Sequence, residues 1–403
     1  MRSESPVGWR LVLVGELIDG GQLIVNDGYR AKNSELGDEG LPFARAGNVR
    51  DGFHLADADR LSSENVRRAG AKVSESDDVV FTSKGTVGRF AFVRGDTPRF
   101  AYSPQLCFWR VVDRSSIDPG FLFGWIRGPQ CALQFKGLKG QTDMADYISL
   151  RDQRTISMLL PPIEEQKRIA SVLSALDEKI ESNHRMREVL LATGAGLVER
   201  AQGHGSTPVS VGDVAQFHNK RRIPLSSSQR ALRPGPFPYY GATGVLDSID
   251  DYLFSGRYVL VGEDGSVQTE EGHPVVQYAW GAFWVNNHAH VLTFDDAAPE
   301  VGYLIMRQAT VTPFVTGAVQ PKLSMRRLKE VSLRWPQDMA AIEAEVRSLF
   351  ELFRLVTAEA TSLTELRSAL LPRLVSGEIC VPDTTDAEEA IGRSAEQLTG
   401  AKT

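Results

Sequence analysis

The sequence predicts an α+β protein in which two β-rich domains are separated by two long antiparallel coiled-coil helices, with pseudo-two-fold symmetry. Three observations lead to this prediction. Two long stretches have apolar residues at heptad spacing, a β-rich block precedes each of them, and the two blocks resemble each other. The length of 403 residues also exceeds that of one ordinary domain.

The first long helix is predicted over residues 161–203 and begins within LLPPIEEQKRIASVLSALDEKIESN. Two prolines suit the entry, where a missing N–H is tolerated, and the acidic pair after them favours the helix dipole. Apolar residues then recur at alternating steps of four and three, with the polar Asn183 as a residue of the kind that fixes register. The predicted helix-pairing residues are Ile169, Leu173, Leu176 and Ile180.

A second helix of the same kind is predicted over residues 337–378. A helix of 30-odd residues spans roughly 45–50 Å. Burial of each Leu or Ile in such a stripe contributes roughly 1.5–3 kcal/mol, which favours pairing of the two helices. The alternative is that each helix packs on its own globular neighbour. The predicted pairing residues are Ile342, Val346, Leu349, Phe353 and Val356.

The two β-rich blocks, residues 1–160 and 204–336, are predicted to be domains that arose by duplication. DVVFTSKGTVGRFAFV in the first and GRYVLVGEDGSV in the second each read as strand, glycine turn and strand, with a further strand after them. Gln141 and Gln320 occupy similar points. Antiparallel helices would place the blocks at opposite ends of the helix pair. The separation of the blocks would then be comparable with one to one and a half turns of DNA, at about 34 Å each. Residues 379–403 are expected to form an acidic, flexible tail.

Composition excludes several classes of protein. A net charge of −6 argues against a polycationic nucleic-acid binder but leaves room for a local basic face. The N-terminus lacks a secretory h-region, no apolar run is long enough for a membrane span, and the three cysteines are scattered, so a cytoplasmic protein is expected. Phosphate-binding and methyltransferase motifs are missing, and His288 and His290 have no carboxylate at ligand spacing. We therefore expect neither catalysis nor a metal or cofactor bound by this chain.

The strongest interaction signal lies between Asn219 and Gly244, where basic residues occur without an acidic one. Hydroxyl-bearing side chains interleave with them and suit phosphate and base-edge contacts, although a solvated loop would have the same composition. Smaller candidates lie in the first block and near the end of the second. The candidate DNA-binding residues are Arg45, Asn48, Thr82, Ser83, Lys84, Lys136, Lys139, Lys220, Arg221, Arg222, Ser227, Arg230, Tyr239, Tyr240, Thr243, Asn286, Asn287, His288 and Lys322.

Taken together, the sequence resembles the specificity subunit of Type I restriction-modification systems. The resemblance rests on LLPPIEEQKRIASVLSALDEKIE, on PYYGATG followed by AVQPKLSMRRLKEV, and on LRSALLPRLVSGEI, in that order. It implies that the two domains are target-recognition domains, each of which reads half of a split, asymmetric double-stranded DNA site. It also implies that the paired helices set the gap between the halves.

The resemblance also implies partners that supply the chemistry. Two methyltransferase subunits would bring S-adenosylmethionine, and restriction subunits would bring ATP and Mg²⁺. One alternative is a related system that cuts on both sides of its site, with methylation and cleavage fused in a separate subunit. Another is a coiled-coil scaffold with two binding heads that do not contact DNA.

Overall fold

The computed structural model describes residues 6–50, 52–85, 87–138, 147–317 and 319–382, and the chain divides into two compact units. Unit 1 comprises Met1–Ile180 and Thr361–Thr403, and unit 2 comprises Glu181–Ala360. Each unit therefore contains one β-rich block and parts of both long helices. Lys139, Gln141 and the predicted tail from residue 383 onward lie outside the described residues.

Short strands form three sheets in the described part of unit 1. The first two have the orders β2-β9-β6-β7 and β3-β5-β4-β8, and the third pairs β1 with β10. The strands are β1 (Arg10–Leu13), β2 (Leu23–Asp27), β3 (Leu36–Gly37), β4 (Leu41–Ala44), β5 (Arg60–Leu61), β6 (Val79–Thr82), β7 (Phe90–Phe92), β8 (Ala101–Tyr102), β9 (Leu106–Val111) and β10 (Ser157–Leu160). The helices of this block are α1 (Val14–Asp19), α2 (Ser63–Ala69), α3 (Pro119–Ile126), α4 (Pro129–Leu138) and α5 (Leu150–Gln153).

Strand β6 lies inside its sheet and contributes side chains to a core on each face of that sheet. Its residues are all buried, because both faces of the sheet are covered. Val79 and Phe81 lie in one core with Phe121 of α3, whereas Val80 points the opposite way into a second core with Phe108. Alternate side chains of a strand face opposite sides, so a β-branched and aromatic run fills both cores at once.

Unit 2 repeats this plan with a larger sheet of order β12-β17-β15-β16-β13-β14, and β11 pairs with β18. Val259 and Val261 of β15 face the core that contains α9, and Leu260 faces the opposite core with Phe283. The strands are β11 (Ser206–Ser210), β12 (Ala215–Phe217), β13 (Pro234–Tyr240), β14 (Val245–Ile249), β15 (Phe254–Gly262), β16 (Val276–Val285), β17 (Ala289–Phe294) and β18 (Ser332–Pro336). The helices are α7 (Val211–Val214), α8 (Ser227–Ala231), α9 (Pro299–Arg307) and α10 (Met325–Lys329).

Two long helices complete the fold. The first, α6 (Ile163–His204), has 42 residues and begins directly after Pro162, as the sequence predicts. The second, α11 (Ala340–Val375), has 36 residues and begins shortly after residue 337, where the sequence predicts its start. At about 1.5 Å per residue they measure about 63 and about 54 Å, which is longer than the predicted span. None of the helices in the described part of the chain is long and apolar enough to cross a membrane.

The predicted pairing residues of the two long helices lie largely away from solvent. Among them, Ile169, Leu173, Ile180, Ile342, Val346 and Phe353 are buried, and Leu176, Leu349 and Val356 are half-buried. Some of these residues also extend into the β-rich cores, which is the packing that the alternative prediction describes. Ile169 and Leu173 pack in the core of unit 1, and Ile342 and Val346 pack in the core of unit 2.

Polar contacts fix the direction of pairing. In unit 2, Asn183 donates a hydrogen bond to a carboxylate oxygen of Glu359 over 2.9 Å, and the Arg187 guanidinium lies 5.4 Å from the ring centre of Phe353. Residue numbers rise along α6 while those of their partners fall along α11, so the helices run antiparallel. Asn183 is only 3% exposed, so this polar residue of the seam has a defined partner and helps to fix the register.

One carboxylate in each unit, half-buried in unit 1 and fully buried in unit 2, joins a β-rich block to the long helices. In unit 1, Asp177 of α6 accepts from Arg127 of the block at 2.8 Å and from Arg367 of α11 at 2.7 Å. Burial alone would raise the pKa of Asp177, but the two guanidinium groups hold it below its usual value. The block and both helices are therefore bound through the same side chain.

In unit 2 the equivalent role falls to Glu300 of α9, which is fully buried. Its Oε1 accepts from the Tyr278 hydroxyl at 2.6 Å, from Arg257 at 3.0 Å and from Arg354 of α11 at 3.2 Å. A carboxylate that is removed from water must be compensated in this way, because an unpaired buried charge is strongly destabilising. The contact ties the sheet, α9 and α11 together.

Replacement of Phe353 by alanine should lower the free energy of unfolding of unit 2 by about 3–5 kcal/mol, because a large buried aromatic ring is lost from the seam and the core. Leu352→Ala is the matched control, since the neighbouring side chain is 42% exposed. Denaturant titration of both variants checks the prediction. Equal destabilisation by the two substitutions would contradict the assigned seam.

Candidate nucleic-acid interface

Three loops of unit 1 converge at one edge of its sheets and bring together candidate residues that are distant in sequence. They are the turn at Arg45–Asn48, the turn after β6 at Ser83–Gly85, and the segment Ser103–Gln105. The amide of Ala46 donates to the Gln105 side chain at 3.2 Å, and the amide of Ser83 donates to the Gln105 carbonyl at 2.9 Å. We refer to these three loops as the unit 1 loop cluster.

The candidate residues of the unit 1 loop cluster divide into buried and exposed groups. Thr82 and Ser83 are fully buried. The Thr82 hydroxyl accepts from the Arg89 amide at 3.0 Å, and the Ser83 hydroxyl donates to the Gln105 carbonyl at 3.4 Å. These side chains hold the turn in shape and do not present polar groups to solvent.

Asn48 has a similar structural role within the first turn. Its side-chain oxygen accepts from the Arg45 amide at 2.8 Å and its side-chain nitrogen donates to the His54 carbonyl at 2.9 Å. Arg45 is exposed but forms an ion pair with Asp59 at 2.7 Å. Lys84 is exposed and has no ion pair with any described residue, which makes it the accessible cation of the cluster. Lys136 lies exposed on α4.

Unit 2 has a matching cluster, formed by Tyr240–Thr243, Glu263–Gly265 and Asn286–His288, to which Lys322 is added. We refer to it as the unit 2 loop cluster. The amide of Glu263 donates to the His288 carbonyl at 2.8 Å, and the amide of Asn286 donates to the Tyr240 carbonyl at 3.1 Å. Asn286 is buried and its side chain accepts from the His288 amide at 2.8 Å. Burial raises the pKa of the Tyr240 hydroxyl to about 12, so it remains a neutral group. Thr243 and Asn287 are exposed.

The two loop clusters share the same main-chain frame. The Ser83 carbonyl accepts from the Ile148 amide at 3.1 Å in unit 1, as the Glu263 carbonyl accepts from the Leu323 amide at 2.9 Å in unit 2. The next residues form isolated antiparallel bridges, Lys84 with Tyr147 and Asp264 with Lys322.

The following glycines of this frame, Gly85 and Gly265, have φ of 82° and 91°. This is a left-handed conformation that glycine adopts without strain, so the turn itself requires glycine at both positions. The predicted duplication therefore extends to individual hydrogen bonds and to backbone conformation.

Charges are compensated inside the unit 2 loop cluster. Arg222 forms an ion pair with Glu263 at 2.8 Å and donates to the Ala289 carbonyl at 2.6 Å. Lys322 forms an ion pair with Asp264 at 2.9 Å, and this hydrogen bond raises the pKa of Lys322. His288 lies 3.6 Å from the same carboxylate of Asp264.

Carboxylates therefore do lie near the histidines in space, although none accompanies them in the sequence. Arginine and lysine side chains form ion pairs with these carboxylates. The described residues include no group of side chains suited to a metal ion.

The predicted basic segment between Asn219 and Gly244 is also neutralised by its surroundings. Arg230 pairs with Asp247 at 3.2 Å and lies over the ring of Tyr239, while Arg233 pairs with Asp250 at 2.8 Å. These acidic residues follow the segment directly in sequence and reach it across the β13–β14 hairpin.

The remaining candidates of this segment lie partly inside and partly outside the fold. Arg221 donates to the Leu253 carbonyl and covers the ring of Phe254. Tyr239 is 1% exposed, and its hydroxyl accepts from the Leu225 amide. Lys220 and Ser227 are exposed, and Lys220 has no ion pair with any described residue. This segment thus presents few free cations to a polyanion.

Several residues of the two clusters were not indicated by the sequence reading. Glu263, Asp264, Gln105 and Tyr147 have side chains that are unremarkable in their local context. The 180-residue offset between Gly85 and Gly265 was the available signal, because alignment of the blocks on these glycines would have paired Lys84 with Asp264.

Comparison with known proteins identifies a family whose sequence model matches this chain. The sequence model of the Type I restriction modification DNA specificity domain matches residues 6–192 and matches again at residues 204–367. The two matches together cover most of the chain and correspond to the two predicted domains with their helices.

Two curated relatives show the same kinship over part of their length. A putative type I restriction enzyme specificity subunit of Haemophilus influenzae is 32% identical over 148 residues, which are 36% of this chain and 37% of that protein. A putative specificity subunit of Methanocaldococcus jannaschii is 22% identical over 205 residues, 49% of this chain and 46% of that protein. The chain thus spans less than half the length of each of these curated relatives.

Among solved structures, the S subunit of a Type I restriction-modification system from M. genitalium superimposes with a TM-score of 0.57. The superposition covers 95% of this chain and 99% of that chain, at 14% sequence identity. At this level of identity the comparison establishes a shared fold.

Acidification should destabilise unit 2 through His290 of β17, which is fully buried. Its Nδ1 accepts from Asn219 and its Nε2 donates to the Leu323 carbonyl, each at 2.8 Å. Burial lowers the pKa of His290, although the Leu323 carbonyl and Glu263 oppose this. Below about pH 6.5 the unfolded chain binds a proton at this imidazole before the folded chain does, so stability is lost as the pH falls.

The measurement is the thermal midpoint of unfolding between about pH 7 and about pH 5. His290→Gln should flatten this part of the profile, while the same change at the exposed His184 should leave it intact. Identical pH profiles for both variants would contradict the assignment.

Proposed function

This chain belongs to the Type I restriction-modification DNA specificity family, and we propose from that membership that it is the sequence-recognition subunit of such a system. Each of its two units would read one half of a split DNA site. The observation that carries the proposal is the pair of loop clusters, which share one main-chain frame but differ in side chains. A duplicated frame with different side chains suits a bipartite, asymmetric target.

DNA recognition by this chain would depend on few direct phosphate contacts. Most arginines near the loop clusters are paired with carboxylates, and the net charge is −6. Lys220 is an exposed cation that can contact a polyanion. The partner subunits would therefore contribute much of the salt-dependent affinity for DNA, and this chain would contribute the choice of sequence.

The chain would have no catalytic role of its own. Two methyltransferase subunits would bind it and supply S-adenosylmethionine and the methylating site, and restriction subunits would add ATP- and Mg²⁺-dependent cleavage. The side chains found at the loop clusters suit recognition, since the carboxylates are held by arginine and lysine and the tyrosine hydroxyl is neutral.

The complex with a methyltransferase partner should methylate adenines within one bipartite sequence, and the chain alone should methylate nothing. Sequencing that detects methylated bases, applied to DNA treated with the complex, measures the sequence around each modified adenine. Methylation that is independent of sequence would refute the proposal. Failure of the complex to bind DNA, with a stable association with another protein, would instead favour the scaffold alternative.

Removal of one heptad from each long helix should shorten the preferred gap between the half-sites by about 10 Å, or about 3 base pairs. Deletion of residues 179–185 together with residues 356–362 keeps the seam in phase, because the contacts of Asp177 and Arg187 retain their spacing to the opposite helix. The half-site sequences should not change.

The control for this experiment is deletion of residues 179–185 alone, which breaks the pairing and should abolish specific methylation. The same mapping of methylated adenines reads out both variants. An unchanged gap in the doubly shortened protein would contradict a spacing role for the helices.

A further inference from the structure

The two loop clusters present opposite charges at one equivalent position. The hydrogen bonds that flank the turn align Lys84 of unit 1 with Asp264 of unit 2, and the residues opposite them in the antiparallel bridges are Tyr147 and Lys322. The main chain coincides at this position, since the flanking hydrogen bonds match and the following glycine is left-handed in each. At this position the two units therefore differ in side-chain chemistry.

A phosphate-contacting role does not account for this exchange. Every phosphate of DNA is negative, so a position that meets the backbone should carry a cation or a neutral donor in both copies. A carboxylate at the equivalent point would repel the same phosphate. Base edges differ, because guanine presents acceptors in the major groove while cytosine and adenine present amino donors. A change of sign is expected where a position reads bases that differ between the two half-sites.

The setting of Lys84 also suits base reading. The turn lies between the ends of β6 and β7, beyond the last paired residues of the sheet, where a side chain can reach the base edges of a groove. The backbone is anchored on both sides of the lysine. The Gly88 amide donates to the Thr82 carbonyl at 3.1 Å, and the Ser83 amide and carbonyl bind Gln105 and Ile148. The ammonium group is exposed and has no ion pair with a described residue, so it is available to a ligand.

In unit 2 the carboxylate of Asp264 is held in place but not covered. Its side chain is 18% exposed and is bound by Lys322 at 2.9 Å, with the half-exposed His288 beside it. A carboxylate has room for more acceptor bonds than this one ion pair uses. It can still accept from an exocyclic amino group, and Lys322 would fix its orientation as it does so.

We propose that Lys84 and Asp264 are equivalent specificity-determining residues, Lys84 reading a guanine in the half-site of unit 1 and Asp264 reading an amino-bearing base, cytosine or adenine, in that of unit 2. This inference rests on the proposed function, because it assigns the base-reading position within each unit. Beyond the proposed function, the inference assigns to each of the two residues the class of base that it selects.

The test maps methylation by the complete complex with its methyltransferase partner on a DNA library in which both half-sites are varied. Lys84→Ala should reduce the preference for guanine at one position of one half-site by about 10- to 100-fold and leave the other half-site unchanged. Lys84→Met, which keeps the aliphatic stem and removes the charge, should have the same effect and guards against a folding defect. Asp264→Asn should alter only the opposite half-site.

Lys32→Ala is the matched control, since it removes an exposed lysine of the same unit from outside the loop cluster. It should leave all base preferences unchanged. A uniform loss of methylation in the Lys84 variants, with every base preference retained, would overturn the inference and assign Lys84 to phosphate contact. A wild-type complex without a bipartite preference would overturn the proposed function itself, so the two failures are distinguishable.

Discussion

Antiparallel pairing of α6 with α11 is the constraint on which the rest of the structure depends. A heptad seam buries apolar side chains along both helices, and the polar pairs of Asn183 with Glu359 and of Asp177 with Arg367 set the register. Each β-rich block is then bound to the helices through a carboxylate, the half-buried Asp177 in unit 1 and the fully buried Glu300 in unit 2. Loss of a partner at Glu300 would leave a buried charge without full compensation, so charged contacts as well as apolar ones fix the blocks to the helices.

The second organising feature is a duplicated main-chain frame with unlike side chains. Backbone hydrogen bonds around Ser83 and Glu263 coincide pair by pair, and a left-handed glycine follows in each turn. Because the backbone satisfies itself, the side chains at the loop surface contribute little to the fold and are free to differ. The contrast between Lys84 and Asp264 is one result, and under the proposed function it would be the basis for different sequence preferences in the two units.

Sequence reasoning predicted the features that depend on local periodicity. The seam residues, both helix starts and the strand–glycine–strand pattern after β6 follow from spacing and turn chemistry, which act within a few residues along the chain. The charge state of the candidate site could not be predicted in this way. Arg230 and Arg233 read as free cations in the sequence, but strand pairing of β13 with β14 brings Asp247 and Asp250 beside them.

The sequence also did not predict that several of the candidate residues are buried. Thr82, Ser83 and Tyr239 are polar residue types that favour a surface reading, yet tertiary hydrogen bonds place them inside the loop clusters. The residues that now define the site, Lys84 and Asp264, became visible only when the two units could be aligned through their hydrogen bonds. Long-range pairing decides which polar side chains remain available to a ligand, and the sequence shows that pairing only through its repeat.

The central claim is that α6 and α11 pair antiparallel in one register, and pulsed electron spin resonance between two labels in unit 2 tests it most directly. Met186 of α6 and Leu355 of α11 are 43% and 67% exposed and lie at the same level of the antiparallel pair. Both suit replacement by labelled cysteine, with the exposed Cys380 changed to serine and the buried Cys107 and Cys131 retained. The account predicts one narrow distribution at a short distance. A broad distribution, or the long distance of a parallel or unpaired arrangement, would contradict it.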